Sequence, residues 1–451
     1  MAVVLAAGRS ERLRNVTGGG SKALVRLGGL TLIERVIRSL LAYGVQRVVV
    51  VLGYQAGAVG TVAARAAPGR VQLVYAEDWE LGNGASLAAA RKAVEGEELF
   101  ALLTTDHVFS EGALRGLLTA GRPAALLDLA PPRAAWEEGT KVVVRRGRAV
   151  AFGKGLGAPS IDCGAFLLPP EVFEFQRQAQ AEGDGSLAGA LTRLARARKV
   201  RVVSLPPGSW WQDVDTPEDL RRARSLLRRS LVRESDGPVS RYLNRPLSTR
   251  LSMALAPLRP SPDLVSVVAL AVGLVAASFL ARGAGVVGGI LAHVASVLDG
   301  VDGEVARLQL RHSARGALLD GLLDRVGDAA VLAGMGLWAL SEASAETVVL
   351  LTAGATAGSM LSMASKDRVA ALGLSRPPER PLGYLLGGRD GRLFLVALGS
   401  VLGWPVLALA AVTATSLTSV TVRVALVRLA TRRAVERAVP LAERRGAGAG
   451  P

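Results

Sequence analysis

Residues 296–325, SVLDGVDGEVARLQLRHSARGALLDGLLDR, decide the fold of the second half of the chain. The chain around them, from residue 263 to about 429, is dominated by apolar runs, which is typical of membrane-spanning helices. Four acids interrupt these runs: Asp299, Asp302, Asp320 and Asp324. Because ionisable side chains are costly within a membrane and usually functional, the four acids are the first candidates for a site.

The spacing of the four acids predicts two helices that face each other. The first two acids are three residues apart, and Gly316 and the last two follow at intervals of four, so each set lies on one helix face. Oxygen ligands that converge in this way favour a hard cation, Mg²⁺ or Mn²⁺. The alternative, helix-end acids in salt bridges with Arg307 or Arg325, explains such regular spacing less well.

The apolar runs predict six membrane spans, at about 263–281, 284–304, 314–340, 345–364, 391–403 and 404–429. Basic residues concentrate in cytoplasmic loops. Here they lie between spans two and three, between four and five, and after span six: Arg307, Arg311, Arg315, Lys366, Arg368, Arg376, Arg380, Arg389, Arg392, Arg423, Arg428, Arg432, Arg433 and Arg437. We therefore expect a multi-pass protein of the cell (inner) membrane with both termini in the cytoplasm.

The first half of the chain predicts a cytoplasmic α/β domain of Rossmann-like type. Apolar runs at 2–8, 45–54 and 98–108 have the character of buried strands, and helical patterns such as TLIERVIRSLLAYG at 31–44 lie between them. This alternation favours a mostly parallel sheet with both faces covered. Ligands of such sheets bind beyond the carboxyl ends of the strands.

Two features place a candidate nucleotide site there. The turn at 5–24, LAAGRSERLRNVTGGGSKAL, has small residues that let backbone N–H groups approach a polyphosphate, and Lys22 supplies a charge. Asp106 ends an apolar strand, and Asp213 and Asp215 lie two apart on one strand face before a helix capped by Thr216. An ordinary strand-to-helix turn and simple turn chemistry are the alternatives.

The net charge and the numbers of cysteine and histidine residues argue against several classes of function. The net charge of +16 comes mainly from arginines beside apolar runs, and aromatic residues are few, so anionic lipid and phosphorylated substrates explain the charge better than nucleic acid. The single cysteine excludes a disulfide framework and a CxxC zinc site. The three histidines are scattered, which predicts no histidine-based metal cluster.

The first half resembles the sugar-phosphate nucleotidyltransferases in LAAGRSERL, SKAL, TTDH, DCGAF and WWQDVDTPEDL. That family usually has a second glycine where Ser10 stands and a proline where Ser21 stands. ELGNGASL, at 80–87, is similar to the cytidylyltransferase branch. The resemblance implies that a polyol phosphate attacks the α-phosphate of CTP and that pyrophosphate leaves.

The same resemblance implies roles for individual residues. Mg²⁺ would be held by Asp106 with Asp213 and Asp215. The nucleotide would lie against Leu5, Ala6, Ala7, Gly8, Arg9, Lys22, Asn83, Gly84 and Ser86. Lys22 would also act in catalysis, and Lys141 and Lys154 would bind substrate phosphate, with solvated surface lysines as the alternative for these two.

The second half contains D-x-x-D-G-x-x-A-R-x₈-G-x₃-D-x₃-D without a gap, and so resembles the CDP-alcohol phosphotransferases. The resemblance implies metal held by Asp299, Asp302 and Asp320, with Gly303, Ala306 and Arg307 along the CDP moiety. Asp324 would be the base that takes the proton of the acceptor hydroxyl. The hydroxyl would attack the β-phosphate, and CMP would leave. Dimers are common in that family, so a homodimer through the membrane domain is an expectation.

The domain order resembles the bifunctional CTP:inositol-1-phosphate cytidylyltransferases/di-myo-inositol-phosphate-phosphate synthases. The substrates would then be CTP, inositol 1-phosphate and CDP-inositol, and the product a compatible-solute precursor. There are two alternatives. The enzyme could use another polyol phosphate or a lipid acceptor, or the chain could be a transporter or scaffold with a degenerate nucleotide-binding domain. We expect a nucleotidyltransferase domain at 1–232, a linker with an interfacial amphipathic helix at 233–262, a six-helix transmembrane domain at 263–435 and a cytoplasmic tail at 436–451.

Overall fold

A computed structural model describes residues 1–9, 11–13, 18–311, 313–373 and 382–446, without the side chains of Glu11 and of 433–446. Contacts divide the chain into two compact units. The first is Met1–Ser230 with Leu308–Leu310, and the second is Leu231–Arg307 with Arg311–Pro451. Ser10, which departs from the nucleotidyltransferase pattern, and the loop residues Arg376 and Arg380 lie outside the described residues, as do the side chains of Arg433 and Arg437.

The first unit is built on a nine-stranded sheet of order β5-β4-β1-β6-β11-β8-β12-β10-β9. Its strands are β1 Ala2–Ala6, β4 Val48–Leu52, β5 Val71–Tyr75, β6 Phe100–Thr104, β8 Ala124–Asp128, β9 Lys141–Arg145, β10 Arg148–Gly153, β11 Ser160–Leu168 and β12 Arg201–Ser204. Among these strands, β11 and β10 run antiparallel to their neighbours, and the others share one direction. Seven of the nine strands thus run in the same direction, as the prediction of a mostly parallel sheet requires.

Two short ribbons complete the strands: β2 Arg26–Leu27 with β3 Leu30–Thr31, and β7 His107–Phe109 with β13 Trp211–Asp213. The helices of this unit are α1 Leu32–Ala42, α2 Ala56–Ala66, α3 Asn83–Ala89, α4 Arg115–Leu118, α5 Arg133–Glu138, α6 Val172–Ala181, α7 Leu187–Ala197 and α8 Pro217–Arg229. Successive strand residues enter opposite core clusters, as Val3 and Val4 of β1 do, because side chains alternate across a strand. Both faces of the sheet are thus covered.

Local sequence signals fix where the helices around the site begin. Thr31 accepts a hydrogen bond from the N–H of Glu34, whose carboxylate accepts the N–H of Thr31, so α1 starts with a capping box. The same kind of reciprocal pair, Thr216 with Asp219, opens α8, whose first residue is Pro217. This confirms the predicted cap and sets the position at which the chain leaves β13.

The second unit is helical, with α9 Arg245–Leu255, α10 Pro262–Ala281, α11 Gly285–Leu308, α12 Ala314–Ala339, α13 Ala345–Ala371, α14 Arg389–Leu402 and α15 Pro405–Gly446. Four helical segments are long and apolar enough to cross a membrane: Pro262–Ala281, Gly285–Leu308, Ala345–Ala371 and Pro405–Arg432. The chain is therefore a membrane protein. α12 carries several charges, and α14 has 14 residues, about 21 Å at 1.5 Å each, so six spans stay a prediction.

The segment before the first of these helices has an unusual distribution of polarity. After a π-helical turn at Ser240–Asn244 it continues as α9. Ser248 and Ser252 are buried, whereas Tyr242 and Leu247 are 65% and 54% exposed. Because the polar face turns inward and the apolar face outward, the outer face of this segment suits an apolar or interfacial environment.

Candidate active sites

The first cluster lies where β6 ends and β7 meets β13. Asp106 lies two residues after the end of β6, and the register of the ribbon pairs Asp213 with His107. The Nζ of Lys22 lies 3.0 Å from Asp106 Oδ2 and 3.7 Å from Asp213 Oδ1, and it also pairs with Asp215. The structure thus brings together all three predicted metal-binding acids of this domain and the predicted lysine.

His107 is a member of this cluster that sequence reasoning missed. Its Nδ1 lies 2.8 Å from Asp106 Oδ1 and 2.7 Å from Thr104 Oγ1, and its ring stacks on Trp211. Asp106, His107 and Asp213 bring ligand atoms within 4.8 Å of one another. The scattered histidines predicted no histidine-based metal cluster; His107 instead lies beside two acids in a mixed group that could hold a cation. The available signal was the position of His107, one residue after a strand-end acid.

The charges in this cluster shift its pKa values in opposite directions. Burial alone would raise the pKa of Asp106, but Lys22 and His107 hold it well below its ordinary value. Burial raises the pKa of Asp213 to about 6, and His107 and Lys22 oppose this only in part. Burial would lower the pKa of His107, yet Asp213 and Asp106 raise it to about 9. At neutral pH Asp106 and Asp213 are therefore carboxylates and His107 is a cation.

A divalent cation fits this donor set. The Oδ1 atom of Asp213 is buried and has no hydrogen-bond partner within the described part of the chain. Its neighbours Asp106 and Asp215 offer further carboxylate oxygens, the ligands that Mg²⁺ and Mn²⁺ prefer. This oxygen has an ion-pair contact with Lys22 at 3.7 Å but no hydrogen bond, and a ligand is expected beside it because buried polar atoms rarely lack a hydrogen-bond partner.

The predicted nucleotide turn follows β1. Leu5, Ala6 and Ala7 are buried, and Gly8 and Arg9 are exposed, with Arg9 over the Tyr54 ring. Two hydrogen bonds hold the later part of the turn in place: Tyr54 Oη donates to the Gly19 carbonyl at 2.7 Å, and the N–H of Ser21 donates to Gln55 Oε1 at 2.9 Å. A proline at position 21 could not make the second bond, so Ser21 departs from the family pattern with a structural use.

The remaining predicted contacts of the soluble domain are more dispersed. Gly84 and Ser86 are buried in α3, and a Cβ on Gly84 would lie 2.0 Å from the Gly185 carbonyl oxygen, so this glycine is required by packing. Asn83, at the start of α3, is exposed.

The two predicted phosphate-binding lysines differ in their surroundings. Lys141 is buried, donates to the Glu137 carbonyl at 3.0 Å and lies over the Trp136 ring, so it is not a solvated surface lysine. Lys154 is exposed.

The second cluster is formed by α11 and α12. Asp299, Asp320 and Asp324 bring carboxylate oxygens within 4.8 Å of one another. Asp302 lies within hydrogen-bonding distance of Asp320 and also accepts a hydrogen bond from Ser266 of α10. All four predicted acids therefore meet at one place, and their donors are oxygens only, which suits Mg²⁺ or Mn²⁺.

Arg389, at the first turn of α14, is the partner of these acids. Its Nη1 pairs with Asp299, and its Nη2 lies 3.2 Å from Asp324 Oδ1. In the described residues, Arg325 instead pairs with Asp367, and Arg307 donates to the Leu231 carbonyl. The sequence interpretation counted Arg389 only as a loop charge, and the structure corrects this by placing it inside the site.

The other residues of the membrane-domain motif lie on the same two helices as the acids. Gly303 and Ala306 follow Asp302 on α11, and a Cβ on Gly303 would lie 3.3 Å from Arg307 Nη1. Arg307 Nε is buried and without a hydrogen-bond partner among the described groups. Gly316 lies at the start of α12, where Ser313 caps the helix. A buried guanidinium nitrogen without a hydrogen-bond partner, on the helix that carries Asp299 and Asp302, suits an anionic ligand.

Comparison with known proteins shows that both halves of the chain match known families and that relatives match nearly the whole chain. Residues 2–156 match the family model of the MobA-like NTP transferase domain, and residues 260–386 match that of CDP-alcohol phosphatidyltransferase. A "Bifunctional IPC transferase and DIPP synthase" of Rubrobacter xylanophilus is 39% identical over 417 residues, which cover 91% of this chain and 92% of the relative. The chain belongs to the family of bifunctional IPC transferases and DIPP synthases.

A second relative matches over nearly the full length, and one solved structure matches half of the chain. The relative from Thermococcus kodakarensis carries the same name and is 35% identical over 88% of this chain and 89% of its own. The solved "inositol-1-phosphate CTP transferase from T. maritima" is 27% identical, covers 50% of this chain and 93% of its own, and has a TM-score of 0.46. The predicted fusion of a nucleotidyltransferase with a CDP-alcohol phosphotransferase is confirmed.

Proposed function

We propose that the chain catalyses two consecutive transfers. The soluble domain would form CDP-inositol from CTP and inositol 1-phosphate, with release of pyrophosphate. The membrane domain would transfer the phosphoinositol group to a second inositol 1-phosphate, with release of CMP. The observation that carries this proposal is the presence of two separate carboxylate clusters in one chain, each suited to a divalent cation. The names of the full-length relatives supply the substrates.

In the soluble domain, we assign Asp106, Asp213 and Asp215 to hold Mg²⁺ or Mn²⁺, and a bound cation would neutralise the triphosphate. Lys22 and the turn at 5–9 would bind and orient CTP. Lys141 and Lys154 are the candidates for the phosphate of inositol 1-phosphate, and Asn83, Gly84 and Ser86 for the base. Little covalent chemistry is required of the protein, so positioning and charge neutralisation supply the rate.

In the membrane domain, we assign Asp299, Asp302 and Asp320 to hold the cation and Asp324 to accept the proton of the attacking hydroxyl. A bound cation would neutralise the diphosphate of CDP-inositol. Gly303, Ala306 and Arg307 would lie along that diphosphate, where the unpaired Arg307 Nε offers a donor. The oxygen of the acceptor forms the new bond to the β-phosphate, and the bond to CMP breaks.

The arrangement in the membrane belongs to the same proposal. The apolar runs predict six spans, and the distribution of basic residues places both termini and the soluble domain at 1–232 in the cytoplasm. The exposed Tyr242 and Leu247 support an interfacial position for the segment before α10. A homodimer through the membrane domain is a further expectation.

The test supplies purified full-length protein with CTP, Mg²⁺ and labelled inositol 1-phosphate. Formation of CDP-inositol, followed by a product with two inositols and by CMP, is expected. Other polyol phosphates and lipid acceptors are supplied in parallel. If the protein uses one of these compounds as fast as inositol 1-phosphate or faster, that compound is the better candidate substrate. If the protein releases no pyrophosphate and no CMP, the proposal is contradicted.

A further inference from the structure

Asp328 extends the line of acids on α12 by one helical turn, but its contacts differ from those of the other acids. It is 4% exposed. Its Oδ1 accepts a hydrogen bond from Arg389 Nε at 3.1 Å. Its Oδ2 accepts bonds from Arg392 Nη2 at 2.8 Å and from Ser359 Oγ at 3.0 Å. Both oxygens thus accept hydrogen bonds from protein donors, and we do not assign Asp328 to the cation site.

The guanidinium of Arg389 lies between Asp328 and the acid cluster. Its Nε faces Asp328, while Nη1 faces Asp299 and Nη2 faces Asp324. A guanidinium is planar and its donors have fixed directions, so a bond at Nε determines where both Nη atoms point. Asp328 therefore sets the orientation of the positive charge that faces the cluster.

Arg392 has a different task in this network. It is 2% exposed, and it donates from Nη1 to the Gly387 carbonyl at 2.8 Å as well as from Nη2 to Asp328. Together with Ser359 of α13 it therefore fixes Oδ2 of Asp328, whereas Arg389 contacts Oδ1. Without the carboxylate, two guanidinium groups would remain close together in a buried region without a shared counter-charge, which is strongly unfavourable.

We propose that Asp328 is a positioning residue of the transfer reaction: fixed by Arg392 and Ser359, it holds the guanidinium of Arg389 against Asp299 and Asp324. It acts through Arg389 and touches neither cation nor substrate. This role rests on the proposed function of the membrane domain.

The test uses full-length protein supplied with CDP-inositol, inositol 1-phosphate and Mg²⁺, and measures CMP release. Asp328→Asn should lower kcat by roughly 10–100-fold, and Arg389→Gln by at least as much. If Asp328 acts through Arg389, the double variant should be within about threefold of Arg389→Gln, because groups that act as a unit are not additive. Additive losses, or normal CMP release by Asp328→Asn, would overturn the role.

Two further measurements separate positioning from metal binding and from misfolding. Mn²⁺ binding without substrates should stay within about threefold in Asp328→Asn, since the four acids of the cluster remain; loss of Mn²⁺ binding comparable to that of Asp299→Ala would make Asp328 part of the metal site instead. Ser359→Ala removes one of the bonds to Asp328 and should lower CMP release by a few-fold; no loss would count against the network.

The matched control is Asp367→Asn. Asp367 pairs with Arg325 of α12 at 3.0 Å, but its side chain is 70% exposed, so its removal should leave CMP release unchanged. Pyrophosphate release by the soluble domain measures the amount of intact chain in every variant. Absence of CMP release in the wild-type protein would contradict the proposed function itself, whereas normal release in Asp328→Asn would remove only the positioning role.

Discussion

Lys22 and Asp106, 84 residues apart in the chain, form an ion pair of 3.0 Å between Nζ and Oδ2. The pair joins the turn after β1 to the end of β6. Burial would lower the pKa of Lys22, but Asp106, Asp213 and Asp215 together raise it above its ordinary value. Lys22 therefore stays protonated throughout the neutral range, and its charge lies where a strand-end nucleotide site is expected.

Asp106→Ala should abolish the first reaction and leave the second intact. The substitution removes a carboxylate ligand and the partner of Lys22 together, so CTP-dependent pyrophosphate release should fall by at least roughly 10²–10³-fold. CMP release from supplied CDP-inositol should be unchanged. Glu182→Ala, which removes an exposed acid paired with Arg193, is the control. Near-normal cytidylyl transfer in Asp106→Ala would leave Asp106 with a structural role only.

Residues 1–232 expressed alone should be soluble and should form CDP-inositol. Every strand of the nine-stranded sheet and the two acids of 213–215 precede residue 216, so the fragment contains the whole predicted site. The measurement is pyrophosphate release with CTP, inositol 1-phosphate and Mg²⁺. A folded fragment that binds CTP and releases no pyrophosphate would argue against this assignment.

Metal binding by the soluble domain should weaken as the pH falls through about 6. The pKa of Asp213 is raised to about 6 by burial, so its carboxyl is protonated, and unable to bind a cation, below that pH. Affinity for Mn²⁺ should fall by up to about tenfold per pH unit below 6 and change little between pH 7 and 8. Titration at pH 5, 6 and 7.5 measures this. Asp213→Asn should bind Mn²⁺ more weakly, and its Mn²⁺ affinity should no longer change near pH 6. If the affinity of this variant still changes near pH 6, the titrating group is not Asp213.

Gly164→Ala should damage the soluble domain far more than an alanine at another glycine of the same region. Gly164 has a φ of +68°, and a Cβ there would lie 2.7 Å from His107 Nδ1. Backbone strain and displacement of His107 should together cost about 2 kcal/mol or more and reduce pyrophosphate release. Gly157→Ala is the control, because a Cβ at Gly157 meets nothing within 4 Å. Equal thermal stability and activity of the two variants would contradict the packing argument.

The four acids of the membrane domain should separate into ligands and a base. Asp299→Ala, Asp302→Ala and Asp320→Ala should weaken both Mn²⁺ binding and CMP release. Asp324→Asn keeps the shape of the side chain but accepts no proton, so CMP release should fall about 10²–10⁴-fold while Mn²⁺ and CDP-inositol still bind. Equal loss of Mn²⁺ binding in all four variants would make Asp324 a ligand instead of a base.

Much of the membrane site was predictable because helical periodicity is a local property. Intervals of three and four residues place Asp299 with Asp302, and Asp320 with Asp324, on one face each, whatever surrounds the helices. The break between the last two helices was equally local: α14 ends at Leu402, Gly403 has a φ of +74°, and α15 begins at Pro405. The prediction of separate helices there is confirmed.

Local patterns of residues are therefore enough to establish the order of the domains, the acid pairs within α11 and α12, and the helix start at Thr216. The distant side chains that complete the sites, Arg389 beside Asp299 and Lys22 beside Asp106, depend on the packing of the whole fold. Hydrophobic periodicity fixes which face of an element is buried, but not which of many arginines on another element reaches it. That choice depends on how whole helices and strands pack, which no local pattern contains.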